Sequence, residues 1–303
     1  MPDAPATEIR AMAAPAGDRR PDVLPADAAY DAAGLDRRFP GLLDGLGILA
    51  GGANVIMQLS HAPVGYGVML SKVESGSLFK HPLKRTRTTI TYLAVALTGT
   101  REEKLAYRQA VNRQHTQVRS GSDSPVKYNA FDADLQLWVA ACICWGYRDT
   151  RAKLRGGHLP PERDREFLRI AESLGTTLQV KAGMWPASQA DFDAYVAQGL
   201  AEAHIDDALR GYLTALAELK FLASPLRLLL GRFNRFVTTG FLPQPLREQM
   251  RFSWNAADQR RFDRLLAILG FVNRLMPRWL RQLPFTWVLR DFRWRLRTGR
   301  ALV

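Results

Sequence analysis

The amino-acid sequence predicts an all-α protein whose helices form one main domain. Apolar residues recur every three or four positions in several segments, which is the spacing of one face of a helix. No stretch shows sustained apolar–polar alternation with strand-like boundaries. The chain has 303 residues, 47% of them hydrophobic, enough to bury a substantial core. We therefore expect a flexible leader over residues 1–34, a helical domain over residues 35–270 and a basic, aromatic extension over residues 271–303.

The leader is rich in Ala, Pro and Asp and contains no apolar core of a secretory signal. After it, residues 45–71 lack Asp, Glu, Lys and Arg, but glycines and polar residues interrupt them. This segment predicts a buried helix over residues 42–60 rather than a membrane span. The helix is expected to end near His61 and Pro63, because proline disfavours helical geometry at the residue before it. Residues 64–82 are predicted to have irregular structure.

Two helices follow, over residues 83–97 and 101–119. Thr100 and Glu103 have the spacing of a capping box, which marks the start of the second helix. In that helix an apolar stripe contains Tyr107, Val111 and His115. His115 is therefore predicted to point inward.

The rest of the chain continues the helical pattern. Asp132 is a candidate cap for a helix without charge between residues 135 and 147, which predicts burial on nearly all sides. Further helices are predicted over residues 163–174, from about residue 191, within 200–222 and over 256–275. The two cysteines, Cys142 and Cys144, are two positions apart in a helix and are not expected to form a disulfide. We expect a reduced, cytoplasmic protein.

The net charge of +13 indicates an anionic partner but says nothing about fold. Residues 271–303 contain eight arginines and one acid, a difference of 8 − 1 = +7, interleaved with three tryptophans. Such a pattern suits peripheral contact with a membrane surface. It suits equally a basic helix whose aromatic residues pack against the domain. No nucleic-acid-binding motif accompanies it, so a nucleic-acid partner is not expected.

A single inward histidine is usually a core residue, but two apolar helices elsewhere in the chain favour a ligand-binding role for His115. The two apolar helices, over residues 42–60 and 135–147, would wall a large apolar cavity of the kind that haem needs. Haem iron requires only one protein ligand. His61 is the rival histidine, and its position at a helix end also suits a C-terminal cap.

Three further residues are candidates for site chemistry. Arg85 and Thr89, four apart, are neighbours on a helix surface and would hold an anion or polarise oxygen. Alternatively, Arg85 is solvated and Thr89 hydrogen-bonds to its own helix. Glu74 is either a catalytic base or a solvated carboxylate. The sequence contains no HExxH, GxSxG, GxxxxGK[ST] or helix-opening GxGxxG motif, which argues against common metalloproteases, hydrolases, P-loop enzymes and Rossmann dehydrogenases.

Several blocks, taken in order, resemble one known family. These blocks are GGANVIMQLSHAPVGYGV, HPLKRTRTTITYL, NRQHTQVRSG, YNAFDADLQLWVAA, MWPASQADFDAY and TTGFLPQPLREQMRFSW. They are similar to blocks of the MpaB-type oxygenase family, which includes the catalytic domain of the latex clearing protein, a rubber oxygenase. The resemblance implies a globin-related helical core with additional C-terminal helices, carrying b-type haem. It further implies that His115 is the proximal ligand of the iron and that Arg85 and Thr89 lie on the distal side. His61 matches the histidine of the family's His-Pro block, although here Ala62 separates it from Pro63.

The best-studied members of that family cleave isoprenoid double bonds with molecular oxygen. This chain departs from them at Thr88, where rubber oxygenases have lysine, and at Ala140, where many relatives have histidine. The resulting expectation is a haem b-dependent oxygenase acting with O₂ on an apolar substrate of isoprenoid or lipid type. The alternative is a helical lipid-binding protein without redox chemistry at a membrane surface.

Overall fold

The computed structural model describes residues 30–122 and 124–303. Within these ranges the chain is helical and contains no strand, so the all-α prediction is confirmed. A single antiparallel bridge joins Arg119 and Asn129 in the loop that follows His115. The predicted leader lies, for residues 1–29, outside the described residues, and its last residues lead into the first helix.

Between residues 30 and 155, the described part of the chain forms six α-helices and two short 3-10 helices. Their bounds are α1 Ala32–Arg38, α2 Gly51–Leu59, α3 Ala62–Met69, α4 Pro82–Thr98, α5 Arg101–His115 and α6 Ala133–Arg155, with 3-10 helices at Gly45–Ala50 and Glu74–Gly76.

The region around Pro63 differs from the prediction. The first part of the expected helix over residues 42–60 is the 3-10 helix, and α2 begins only at Gly51. The expected irregular segment after Pro63 begins instead with helix α3. Proline in a first turn sacrifices no helical hydrogen bond, so Pro63 starts a helix here rather than only ending one. Consequently His61 is the N-cap residue of α3 and not a C-terminal cap of α2.

The predicted start of α5 is confirmed. The Thr100 hydroxyl accepts from the backbone N–H of Glu103, and the Glu103 carboxylate accepts from the N–H of Thr100. The helix ends at His115, four residues earlier than expected. Asp132 caps α6 as predicted, accepting from the N–H groups of Asp134 and Leu135, and α6 continues to Arg155 before Gly156 ends it with φ 74°.

The second half of the chain is also helical. Its helices are α7 Pro161–Ala171, α8 Ser173–Thr176, α9 Gln189–Glu202, α10 Asp207–Ala217, α11 Ser224–Phe241, α12 Gln244–Gln249, α13 Ala256–Leu275, α14 Arg278–Arg281 and α15 Leu283–Arg297.

Helix α6 is the centre of the core. It contacts α2, α8, α9 and α13, and its middle is buried, including Trp138, Cys142 and Cys144. Both cysteines are free. At one edge of the core, α4 pairs with α5 and with the C-terminal helix α15.

A buried carboxylate, Asp44, joins the two ends of the described chain. It lies just before the first 3-10 helix and is 3% exposed. Its oxygens accept from Arg155 of α6 at 3.0 Å, Asn273 of α13 at 2.5 Å and Arg281 of α14 at 2.8 Å. In the described part of the chain, none of the helices combines the length and the hydropathy that a bilayer crossing requires.

Candidate active site

The hairpin of α4 and α5 brings Arg85 and His115 to the same region. The Tyr107 hydroxyl of α5 donates to the Thr88 carbonyl of α4 at 2.6 Å and fixes the two helices against each other. The positive charge of Arg85 acts on the His115 ring, where it is the second cause, after burial, of a lowered pKa. Two residues that the sequence placed on successive helices therefore share one environment.

His115 ends α5 as a half-buried, neutral imidazole. Burial first, and then the charge of Arg85, lowers its pKa to about 4, so the ring is uncharged at neutral pH. Its Nδ1 atom is buried without a hydrogen-bond partner. The ring of Phe131 lies edge-on at 6.2 Å between centroids. A buried nitrogen without a partner is costly in a folded protein and points to a ligand that the protein alone does not supply.

Arg85 lies in the first turn of α4, at an exposed position. Protein atoms near the guanidinium partly desolvate it, and this lowers its pKa. The only groups that oppose this shift are the phenols of Tyr107 and Tyr212. Among residues 30–122 and 124–303, Arg85 forms no ion pair, whereas Arg87 two positions on pairs with Asp291 at 2.8 Å. A cation without a carboxylate partner is suited to an anionic group.

Thr89 lies one turn after Arg85, and its hydroxyl donates to the Arg85 carbonyl at 2.9 Å. The neighbouring Thr88 hydroxyl donates to the same carbonyl at 3.0 Å. Of the two alternatives for Thr89, the bond to its own helix is therefore present. The Thr89 oxygen keeps its lone pairs, and the residue is exposed, so it can still accept a hydrogen bond.

His61 occupies a different environment. It is 6% exposed, and its ring stacks on the Trp138 indole with centroids 4.1 Å apart and planes 12° apart. Its Nε2 atom is 2.8 Å from the Gly199 carbonyl oxygen, and burial lowers its pKa. These contacts tie α3 to α6 and α9.

Glu74 is an exposed carboxylate in the second 3-10 helix, where it pairs with Lys80. The Lys80 ammonium lowers the pKa of Glu74. Lys80 therefore favours the charged form of a solvated carboxylate. This matches the second of the two roles considered for Glu74.

Tyrosines near Arg85 were not identified as site residues from the sequence. Tyr212 of α10 is half-buried, its ring packs 5.3 Å from that of Phe79, and burial raises its pKa while Arg85 lowers it. The Tyr92 hydroxyl of α4 donates to the Leu174 carbonyl, and burial raises its pKa. Tyr107 was visible in the stripe that contains His115, but nothing in the sequence connects Tyr212 to α4.

The residues at this site include one side chain, His115, that would hold a haem group. No cluster of three or more His, Cys, Asp and Glu side chains occurs in the described ranges that could hold a metal on protein ligands alone. A haem supplies four ligands from its own ring and needs one from the protein, which the neutral His115 ring can provide. Arg85 is a cation near His115 that an anionic group could contact.

Comparison with known proteins identifies the family to which residues 41–271 belong. Residues 41–271 match the model of a family described as ER-bound oxygenase mpaB/B'/rubber oxygenase, catalytic domain. Uncharacterized proteins of Mycobacterium bovis and Mycobacterium tuberculosis are each 47% identical to the chain over 251 residues, which cover 83% of this chain and 98% of the relative. No solved structure matches the chain. His61, Arg85, Thr89 and His115 all lie within the matched range.

Proposed function

The chain belongs to the MpaB/rubber oxygenase catalytic-domain family, and from that premise we propose that it is a haem b-dependent oxygenase acting with O₂ on an apolar substrate. The observation that carries the haem proposal is the state of His115. Its imidazole is neutral, half-buried and has a buried nitrogen without a partner, beside the unpaired charge of Arg85.

Each residue has a role in this proposal. His115 holds the haem through its neutral ring, and burial keeps that ring unprotonated at neutral pH. Bound haem supplies an iron centre at which molecular oxygen reacts. Arg85 provides a positive charge near His115, and this charge would stabilise negative charge on oxygen. Thr89 presents a hydroxyl oxygen on the same side of α4, one turn from Arg85.

His61 is assigned a supporting role at the cofactor. Its contacts with Trp138 and the Gly199 carbonyl hold α3, α6 and α9 together. In the proposal it shapes the wall of the haem pocket without donating a ligand to iron.

The substrate proposal follows from the lining of the core. Helices α2 and α6, which flank the site in sequence, bury apolar side chains such as Ile56, Met57 and Leu137. Position 88 carries threonine, and its hydroxyl is engaged with the Arg85 carbonyl. We propose an isoprenoid or lipid small enough to enter the protein, and a cytoplasmic location with peripheral membrane contact. The two free cysteines suit a reducing compartment.

A second candidate is a helical lipid carrier without redox chemistry. The exposed tryptophans near the C-terminus favour it, because Trp279 is 68% exposed and Trp287 is 57% exposed. Such a carrier would be colourless and would extract an apolar ligand into organic solvent.

An absorption spectrum separates the two candidates. The chain purified after expression with added haem is expected to show a Soret band, and His115→Ala is expected to lose it. His158→Ala is the matched control, because His158 is exposed in the turn after α6. A colourless parent protein, or a His115→Ala variant that keeps the band, would contradict the haem proposal.

A further inference from the structure

The C-terminal surface, which we define as the outward face of residues 268–297, is apolar although it is exposed. Along the second half of α13, Ile268, Phe271 and Leu275 follow helical spacing on one face, and all are exposed. Beyond α13, Trp279 of α14 and Trp287 of α15 are exposed as well. Exposed apolar patches of this kind mark interaction surfaces in soluble proteins.

Helix α15 has two apolar faces. Phe285 and Phe292 are buried, and Phe292 packs against Tyr107 with ring centroids 5.7 Å apart. Trp287 and Trp294 point outward. Within α15, the packing role is therefore taken by Phe285 and Phe292, and the surface role by Trp287 and Trp294.

The arginines of the stretch divide in the same way. Four are committed to carboxylates: Arg278 to Asp36, Arg281 to Asp44, Arg293 to Glu103 and Arg295 to Asp291. The other four, Arg274, Arg290, Arg297 and Arg300, are exposed and form no ion pair within the described part of the chain. Arg300 lies over the Trp294 ring at 4.3 Å. The only acid after residue 268, Asp291, is shared by Arg87 and Arg295. The surface thus carries positive charge without a compensating acid.

We propose that the C-terminal surface binds the face of an anionic lipid bilayer, with α13 and α15 lying in its plane. Tryptophan places an apolar ring and a polar N–H at the boundary between acyl chains and headgroups, and exposed arginines beside it attract anionic headgroups. The free arginines select a bilayer over a second copy of this basic chain, because two copies would place like charges against each other.

Helix α15 also packs next to the candidate site. Its inner face packs on α4, where Asp291 holds Arg87 two residues from Arg85. If the proposed oxygenase function holds, docking would bring an apolar substrate stored in the bilayer close to the wall of the site. Membrane binding itself does not depend on haem and is tested without it.

The test uses the full chain and sedimentation with phosphatidylcholine vesicles that contain or lack phosphatidylglycerol. Binding is expected only with phosphatidylglycerol and is expected to weaken with added salt. Arg274→Gln with Arg290→Gln is expected to weaken it about 10-fold or more, since each arginine near an anionic surface contributes about 1 kcal/mol. Arg163→Gln with Arg165→Gln removes the same charge from exposed positions of α7 and is the matched control, expected to bind like the parent.

An apolar variant completes the test. Phe271→Ser, Trp279→Ser and Trp287→Ser together are expected to abolish sedimentation while far-UV circular dichroism stays unchanged, because all three side chains are exposed. Equal loss in the α7 control would show that binding follows net charge and not this surface, and would overturn the proposal. So would vesicle binding that survives in a folded apolar variant. Gel filtration that shows a parent dimer and a monomeric apolar variant, with no vesicle binding by either, would assign the surface to self-association instead.

Discussion

The Nη1 atom of Arg281 donates to both carboxylate oxygens of Asp44, each at 2.8 Å. Arg155 and Asn273 donate to the same carboxylate. The carboxylate therefore connects α6, α13 and α14 to the segment before α2. Among the described residues, the groups that donate to Asp44 all come from more than 100 residues away in the sequence.

Asp44→Asn is expected to destabilise the protein by about 3–5 kcal/mol, because it leaves two arginines facing a neutral amide in a buried site. Urea unfolding followed by circular dichroism measures the change. Glu74→Gln removes a carboxylate from an exposed pair and is expected to leave the unfolding midpoint where it is. Equal midpoints for the two variants would refute the assigned importance of Asp44.

Gly199→Ala is expected to destabilise α9 against α6 by about 1–3 kcal/mol or more. A Cβ atom at position 199 would lie 2.0 Å from Cζ3 of Trp138, the indole on which His61 stacks. Gly211→Ala in α10 is the matched control, because its Cβ would meet nothing within 4 Å. There the gain in helix propensity is expected to stabilise by about 0.5–1 kcal/mol. Thermal unfolding of both variants tests the sign of each change.

The stability of the haem-free protein is expected to fall as pH decreases from about 6.5 to about 4. The pKa of His115 is about 4 in the folded protein and 6.5 for the free side chain, so the unfolded state binds more protons in this window. His115→Gln is expected to flatten this part of the profile relative to the parent. Urea midpoints measured across the window provide the test, and parallel profiles would be inconsistent with a buried neutral ring.

Arg85→Gln is expected to raise the pKa of His115 above about 4, because the Arg85 charge is one of its two causes. Burial, the larger cause, remains, so the pKa should stay below 6.5. Arg113→Gln is the control: Arg113 is closer to His115 in sequence but exposed, and it does not contribute to the shift. NMR titration of the His115 ring protons reports both values.

In the haem-loaded protein, Arg85→Gln is expected to keep the Soret band and to lower oxygenase turnover about 100-fold or more, as loss of one preorganised electrostatic donor does. Oxygen uptake with an isoprenoid test substrate measures turnover. A variant that loses the band would instead place Arg85 in haem retention. Unchanged turnover would remove it from the proposed reaction.

Local signals accounted for the parts of the fold that the sequence predicted well. The capping box of Thr100 and Glu103 and the cap at Asp132 lie within a few residues of the bonds they form, so their spacing alone identifies them. The stripe through Tyr107 and His115 likewise needs only helical periodicity. Pro63 shows the limit of such signals, because proline is compatible with both the end of one helix and the start of the next.

Long-range contacts account for what the sequence did not reveal. Tyr212 of α10 lies near Arg85 of α4, although the two residues are far apart in the sequence. No local pattern at position 212 predicts that proximity. His61 was expected at a helix end, but its stacking on Trp138 depends on how α3 meets α6. In the C-terminal extension, composition revealed the charge. Only the packed structure distinguishes the arginines that pair with Asp36 and Asp44 from those that remain free.

The distance along the chain between Asp44 and Arg281, 237 residues, also has a consequence for biosynthesis. Asp44 leaves the ribosome long before Asn273, and α4 leaves it long before α15, against which it packs. During translation the nascent chain holds an unneutralised carboxylate and an uncovered face of α4, both of which are completed only when the last helices emerge. We expect productive folding to be largely post-translational and slow, with the incomplete chain dependent on chaperones, because contacts between such distant segments must form last.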